Sequence, residues 1–245
     1  YHKMLPASMQ EKDLTEILPE VEEFTVSELI PALVQGYSIS DGTRADLASR
    51  MATYTGLSES SILQHNLAIP SSFFWKELLR DSSGLTIGRL DSRYLGLDKT
   101  IAGSAPDYAP EITSWLHSFT PTIYQYFREH LGLKNDIKYN MFGPVSPWDR
   151  EEHNTREDLR KAMAENPYLN VLYQVGYFDG ATTYFGSKYS MWQLDPGGRM
   201  GDRLHFRAYR SGHMMYLRAE DLKAANDDLR SFLMDHLPGE KPAKY

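Results

Sequence analysis

Apolar side chains recur at helical spacing through the first part of the chain. Leu14, Ile17, Leu18, Val21 and Phe24 fall on one face, and Glu16, Glu20, Glu22 and Glu23 occupy the face between them. That acidic run reads as a solvated helix face. A second helix is predicted over Val26 to Gln35, with Gly36 as its stop signal. Asp41 is placed to cap a third that runs to Tyr54. Ser58 is placed to cap a fourth, with Ile62 and Leu63 on its buried side. Phe73, Phe74, Leu78 and Leu79 mark a fifth. Between Pro110 and Leu131 a long helical pattern meets Thr120-Pro121. A proline at the first position of a new helix accounts for that interruption, and Gly132 ends the helix.

Two stretches depart from this pattern. Residues 84–98 read as an extended segment with turn residues, in which Arg89, Asp91 and Arg93 alternate with apolar side chains. An ion pair at the rim of a sheet or loop explains them, and a substrate-facing arginine is the sharper alternative. From residue 155 the chain alternates helix and strand. Asp158 to Glu165 is a short helix, and Asn170 to Phe178 a buried-type strand ending at Asp179-Gly180. Thr182 to Leu194 is a helix, and Leu204 to Tyr209 a second strand ending at Ser211-Gly212-His213. Glu220 to Leu237 is an amphipathic helix with Leu222, Ala225, Leu229, Phe232 and Leu233 on one face. Strands alternating with helices of this length predict a parallel sheet covered by helices, hence an α/β fold.

Composition narrows the function classes. The 245 residues are 41% hydrophobic and 24% charged, as in an ordinary globular protein. Residues 1–150 hold 13 basic and 19 acidic side chains, residues 151–245 hold 13 and 14, and the net charge is −7. That balance disfavours a nucleic-acid surface built on phosphate neutralisation. No apolar run is long enough for a membrane span. Cysteine is absent, which removes disulfides, thiolate zinc sites and cysteine nucleophiles. The opening Tyr1-His2-Lys3 carries no signal-peptide pattern and reads as a chain cut from something longer.

In a parallel sheet, functional groups gather at the carboxyl ends of the strands. Asp179 follows the first late strand and His213 the second, 34 residues on. Adjacent strands with one helix between them would deliver both side chains to one edge. A carboxylate beside an imidazole is the orienting half of a nucleophilic triad. The order Asp then His also fits the last two members of an α/β-hydrolase triad. The nucleophile is not evident: no Gly-x-Ser-x-Gly occurs, and the stretch from Gly56 to Ser60 fails at its fifth position. A turn aspartate and a structural histidine are the plainer alternatives. No His-Glu-x-x-His or other ligand spacing points to a metal, and no Gly-rich loop points to a phosphate cofactor. Asp149 to His153 reads better as the acidic start of a helix than as a cation site. Tyr184, Phe185, Tyr189 and Trp192 read as helix-to-sheet packing rather than a cofactor box.

Residues 173–182, Tyr173-Gln-Val-Gly-Tyr-Phe-Asp-Gly-Ala-Thr, together with Ser211-Gly-His-Met-Met-Tyr-Leu, resemble the C-terminal part of the serine carboxypeptidase family in its bacterial form. Tyr54-Thr-Gly-Leu-Ser, Phe74-Trp-Lys-Glu-Leu-Leu-Arg and Gly88-Arg-Leu-Asp-Ser-Arg-Tyr are similar to the same branch. The resemblance covers nearly the whole chain, and Gly-His-Met is its most specific piece. It implies that Asp179 is the triad acid, His213 the triad base and Met214 part of the pocket for the leaving residue. It also implies a division into residues 1–9, the end of an upstream hydrolase half; residues 10–150, a mainly helical lid insertion; and residues 151–245, the C-terminal segment of the hydrolase sheet. The substrate would be a peptide, no cofactor or metal would be needed, and the compartment would be periplasmic or extracellular. The family's acidic pH optimum is tied to carboxylates that would lie outside this chain.

The departure from the family is equally specific. Its Gly-Glu-Ser-Tyr element, oxyanion hole and carboxylate-recognition elements have no counterpart here. The chain is therefore expected to be the C-terminal half of a hydrolase, partnered by a missing N-terminal half and inactive alone. A non-catalytic interaction module, or an esterase or acyltransferase on the same scaffold, are the alternatives.

Overall fold

The computed structural model describes residues 1–141, 143, 147, 149 and 155–237. The chain forms two compact units, Tyr1–Ala109 and Pro110–Tyr245. That division falls inside the expected 10–150 segment.

The first unit is helical. It contains α1 (Ala7–Gln10), α2 (Leu14–Phe24), α3 (Ile30–Gln35), α4 (Asp41–Thr55), α5 (Glu59–Gln64), α6 (Ser71–Glu77) and α7 (Arg80–Ser83). A two-residue antiparallel ladder, β1 (Thr86–Ile87) with β2 (Leu95–Gly96), closes it. Local chemistry sets these boundaries. Asp13 and Glu16 form a reciprocal capping box at α2. Ser40 and Ser58 cap α4 and α5 by accepting from the amides of Thr43 and Ser61. Asp41 is thus the first helical residue rather than the cap: the serine before it reaches the orphan amide, and the carboxylate sits in the first turn. Helices α2 and α3 run together through a π-helical turn at Thr25–Leu29, in which the Ile30 amide reaches the Thr25 carbonyl. Pro31 has no amide to continue the ordinary ladder, which favours a widened turn there. Gly36, at φ +59°, ends the run.

Phe24, Leu47, Ala48, Met51, Ile62 and Leu67 are central to this unit's core. Leu63, expected inside, is 37% exposed, while its neighbour Ile62 is fully buried. Asp91 is buried and takes the Arg93 guanidinium on both oxygens, at 2.9 and 2.6 Å. Arg93 is thereby an ion-pair partner, and Arg89 is exposed. Lys76 and Asp98 form a buried ion pair, and the Lys76 ammonium also reaches the Thr100 carbonyl.

The second unit opens with α8 (Pro110–Glu129) and α9 (Thr155–Glu165). Helix α8 passes through Pro121 without a break, because a long amphipathic helix survives the loss of one internal hydrogen bond. Strand β3 (Val171–Gly176), helix α10 (Tyr184–Leu194), strand β4 (Leu204–Tyr209) and helix α11 (Ala219–His236) follow. The strands pair in parallel, from Val171 beside Leu204 to Gly176 beside Tyr209. At the level of class the protein is a mixed fold, mainly helices with two small sheets. Tyr184 packs against Tyr177 and Phe206, ring centroids 5.0 and 5.6 Å away. Tyr189 and Trp192 stay substantially exposed. On α11 the residues drawn inward are Asp221, Ala225, Asp228, Phe232 and His236. Leu222, Leu229 and Leu233 remain exposed, contrary to the expected apolar face.

Candidate functional site

The ladder between β3 and β4 continues past the regular strands. The Tyr177 amide donates to the Tyr209 carbonyl and the Phe178 amide to the Ser211 carbonyl, both at 2.9 Å. The two chains leave the sheet side by side, and each places a polar residue at its carboxyl edge. A Cβ at Gly176 would stand 2.3 Å from the carbonyl oxygens of both Ser211 and Gly212. The approach therefore exists only because residue 176 has no side chain.

The structure brings Asp179 and His213 together. His213 Nδ1 lies 2.8 Å from Asp179 Oδ2. The Asp179 side chain is buried, whereas that of His213 is 45% exposed. Asp179 Oδ1 accepts from the amides of Ala181 and Thr182 at 2.8 and 3.0 Å, and Oδ2 accepts from the Thr182 hydroxyl as well as from His213. A carboxylate held on both oxygens cannot swing away from the ring. With Nδ1 engaged, Nε2 is the nitrogen that can exchange a proton. Among the described residues, no hydrogen bond involves His213 Nε2. The arrangement can orient an imidazole and fix which of its nitrogens faces outward, which is what the acid–base half of acyl-transfer chemistry requires.

The loop carrying His213 is fixed from beneath. Ser211 is fully buried, and its hydroxyl donates to Asp221 in the first turn of α11. Asp221 also takes the Arg218 guanidinium at 2.8 Å. Met214 is half-buried at the head of the Met215–Leu217 turn, and its carbonyl accepts the Leu217 amide.

Sequence reasoning missed the roles of Thr182, Ser211 and Asp221. The spacing of Asp179 and Thr182 is that of a side chain folding back on amides two and three residues ahead, a legible turn signal. Nothing local marks Ser211 and Asp221 as partners. Asp149 to His153 lies largely outside the described residues, since 150–154 are not among them. Among the described residues no group of three or more His, Asp or Glu could hold a metal ion. Comparisons with protein-family models, with curated proteins and with solved structures found no match to this chain.

Proposed function

We propose that this chain is the C-terminal part of a serine-type carboxypeptidase of α/β-hydrolase architecture, with the nucleophile and oxyanion donors supplied from outside its 245 residues. The observation that carries the reading is the Asp179–His213 hydrogen bond at the carboxyl ends of two adjacent parallel strands. A serine oxygen would attack the last peptide carbonyl while His213 Nε2 takes its proton. His213 would return that proton to the leaving amine as the acyl-enzyme forms, then activate the water that releases the shortened peptide. Asp179 would hold Nδ1–H and offset the charge of the imidazolium. Met214, next to His213, would line the pocket for the leaving residue.

Turnover of blocked dipeptides and of matched esters by the complete gene product tests this. Serine-inhibitor-sensitive release of the C-terminal residue is expected. His213→Ala should remove it by several orders of magnitude, on the order of a million-fold where such a base has been deleted. The 245-residue chain alone should be inactive. Peptide hydrolysis by the chain alone would overturn the external nucleophile. Ester turnover without peptide turnover would make it an esterase, and no turnover at all would leave an interaction module.

A further inference from the structure

Thr182 is bonded to both members of the pair. Its hydroxyl contacts Asp179 Oδ2 and lies 3.1 Å from His213 Nδ1, while Nδ1 and Oδ2 are themselves 2.8 Å apart. The three polar atoms close a triangle. A hydroxyl has one proton to give, and an ionised carboxylate can only accept. The Oγ1–Oδ2 contact therefore uses the threonine proton, and an oxygen lone pair is left facing Nδ1. An imidazole nitrogen that faces a carboxylate oxygen and a hydroxyl lone pair is stable only if it carries hydrogen. Thr182 is itself anchored, because its amide donates to Asp179 Oδ1 at 3.0 Å.

We infer that Thr182 is a positioning residue that locks His213 in the Nδ1–H tautomer and so leaves the Nε2 lone pair available. Only the use made of Nε2 rests on the hydrolase reading; the state of the ring does not.

The test is nitrogen NMR of the histidine-labelled 245-residue chain, with the pH raised until the ring signals no longer move, so that the rings are neutral. The wild-type His213 signals should show hydrogen on Nδ1. In Thr182→Val, which keeps shape and amide but loses the hydroxyl, the ratio of Nδ1–H to Nε2–H should fall about tenfold, the worth of one net hydrogen bond. Thr182→Ser should restore it, and the His205 ring should stay unchanged in both, reporting an intact fold. A wild-type ratio in Thr182→Val overturns the inference, as does a Thr182→Ser variant that behaves like the valine one. Should Thr182→Val disturb the His205 signals, Thr182→Ala removes the same hydroxyl and is read by the same ratio. The measurement needs no nucleophile, so its failure is separate from a failure of the turnover assay.

Discussion

Tyr209 joins three elements through one phenol. Its hydroxyl donates to Asp228 at 2.7 Å and accepts from the Gln174 amide at 2.9 Å, and Gln174 also reaches the Ala225 carbonyl. Strands β3 and β4 and helix α11 meet there. Burial, and then the bond to Asp228, push the phenol up to about 12. A group raised in the folded state stabilises it below the unfolded value and loses that contribution as pH climbs through the folded one. The loss here falls between the ordinary 10.0 and about 12. Tyr209→Phe should lower the unfolding free energy by about 1 kcal/mol near neutrality. It should also flatten the alkaline decline, with urea denaturation across that range as the check. A decline as steep as the wild type's would mean that other groups drive it.

At the scale of elements, α11 is attached by polar contacts as much as by apolar ones. Asp221 in its first turn takes the buried Ser211 hydroxyl and the Arg218 guanidinium. Asp221→Ala would leave Ser211 with a single long contact to the Met215 carbonyl, 3.3 Å. The expected cost is about 1–3 kcal/mol in urea denaturation, with broadened His213 ring signals; Asp221→Asn, which still accepts, should recover most of it. This attachment also explains what the sequence does and does not disclose. The strand–helix–strand–helix order was legible because its apolar periods are local, and Asp179 and His213 were legible because strand ends collect polar residues. The face of α11 was legible only in part: Ala225 and Phe232 turn inward as the spacing suggests, whereas Leu222, Leu229 and Leu233 stay exposed and distant partners draw in Asp221 and Asp228. Pro31 and Pro121 were opaque. One accompanies a π-turn and the other sits inside an unbroken helix, and the difference lies in the surrounding ladder rather than in either proline.

For the whole molecule, charge and pH act together. The net charge is −7 and the isoelectric point about 5.6, so mild acid removes self-repulsion that aids solubility. No helix among the described residues is long and apolar enough to cross a membrane. In the same pH range His205 enters its titration. Its ring lies 4.3 Å from that of His236 and its Nε2 is 3.4 Å from Asn170. Burial, and then His236 and Arg207, hold it below the ordinary 6.5. A histidine lowered in this way favours the folded state above the unfolded value, and the advantage is lost as pH falls below 6.5 through the depressed folded value. The urea midpoint should drop between about pH 7.5 and 5.5, and His205→Gln should reduce that drop. An equal drop in the variant would assign the acid sensitivity to other groups.

Gly176 has a consequence at the level of the gene. Every single-base missense change of a glycine codon introduces a residue with a β-carbon, and at position 176 that carbon meets two carbonyl oxygens at 2.3 Å. Even the mildest replacement, alanine, would press its β-carbon into both carbonyls, so the backbone at the strand ends would have to shift. Wherever the Asp179–His213 hydrogen bond is kept, this codon is thus free to drift only at its silent third base.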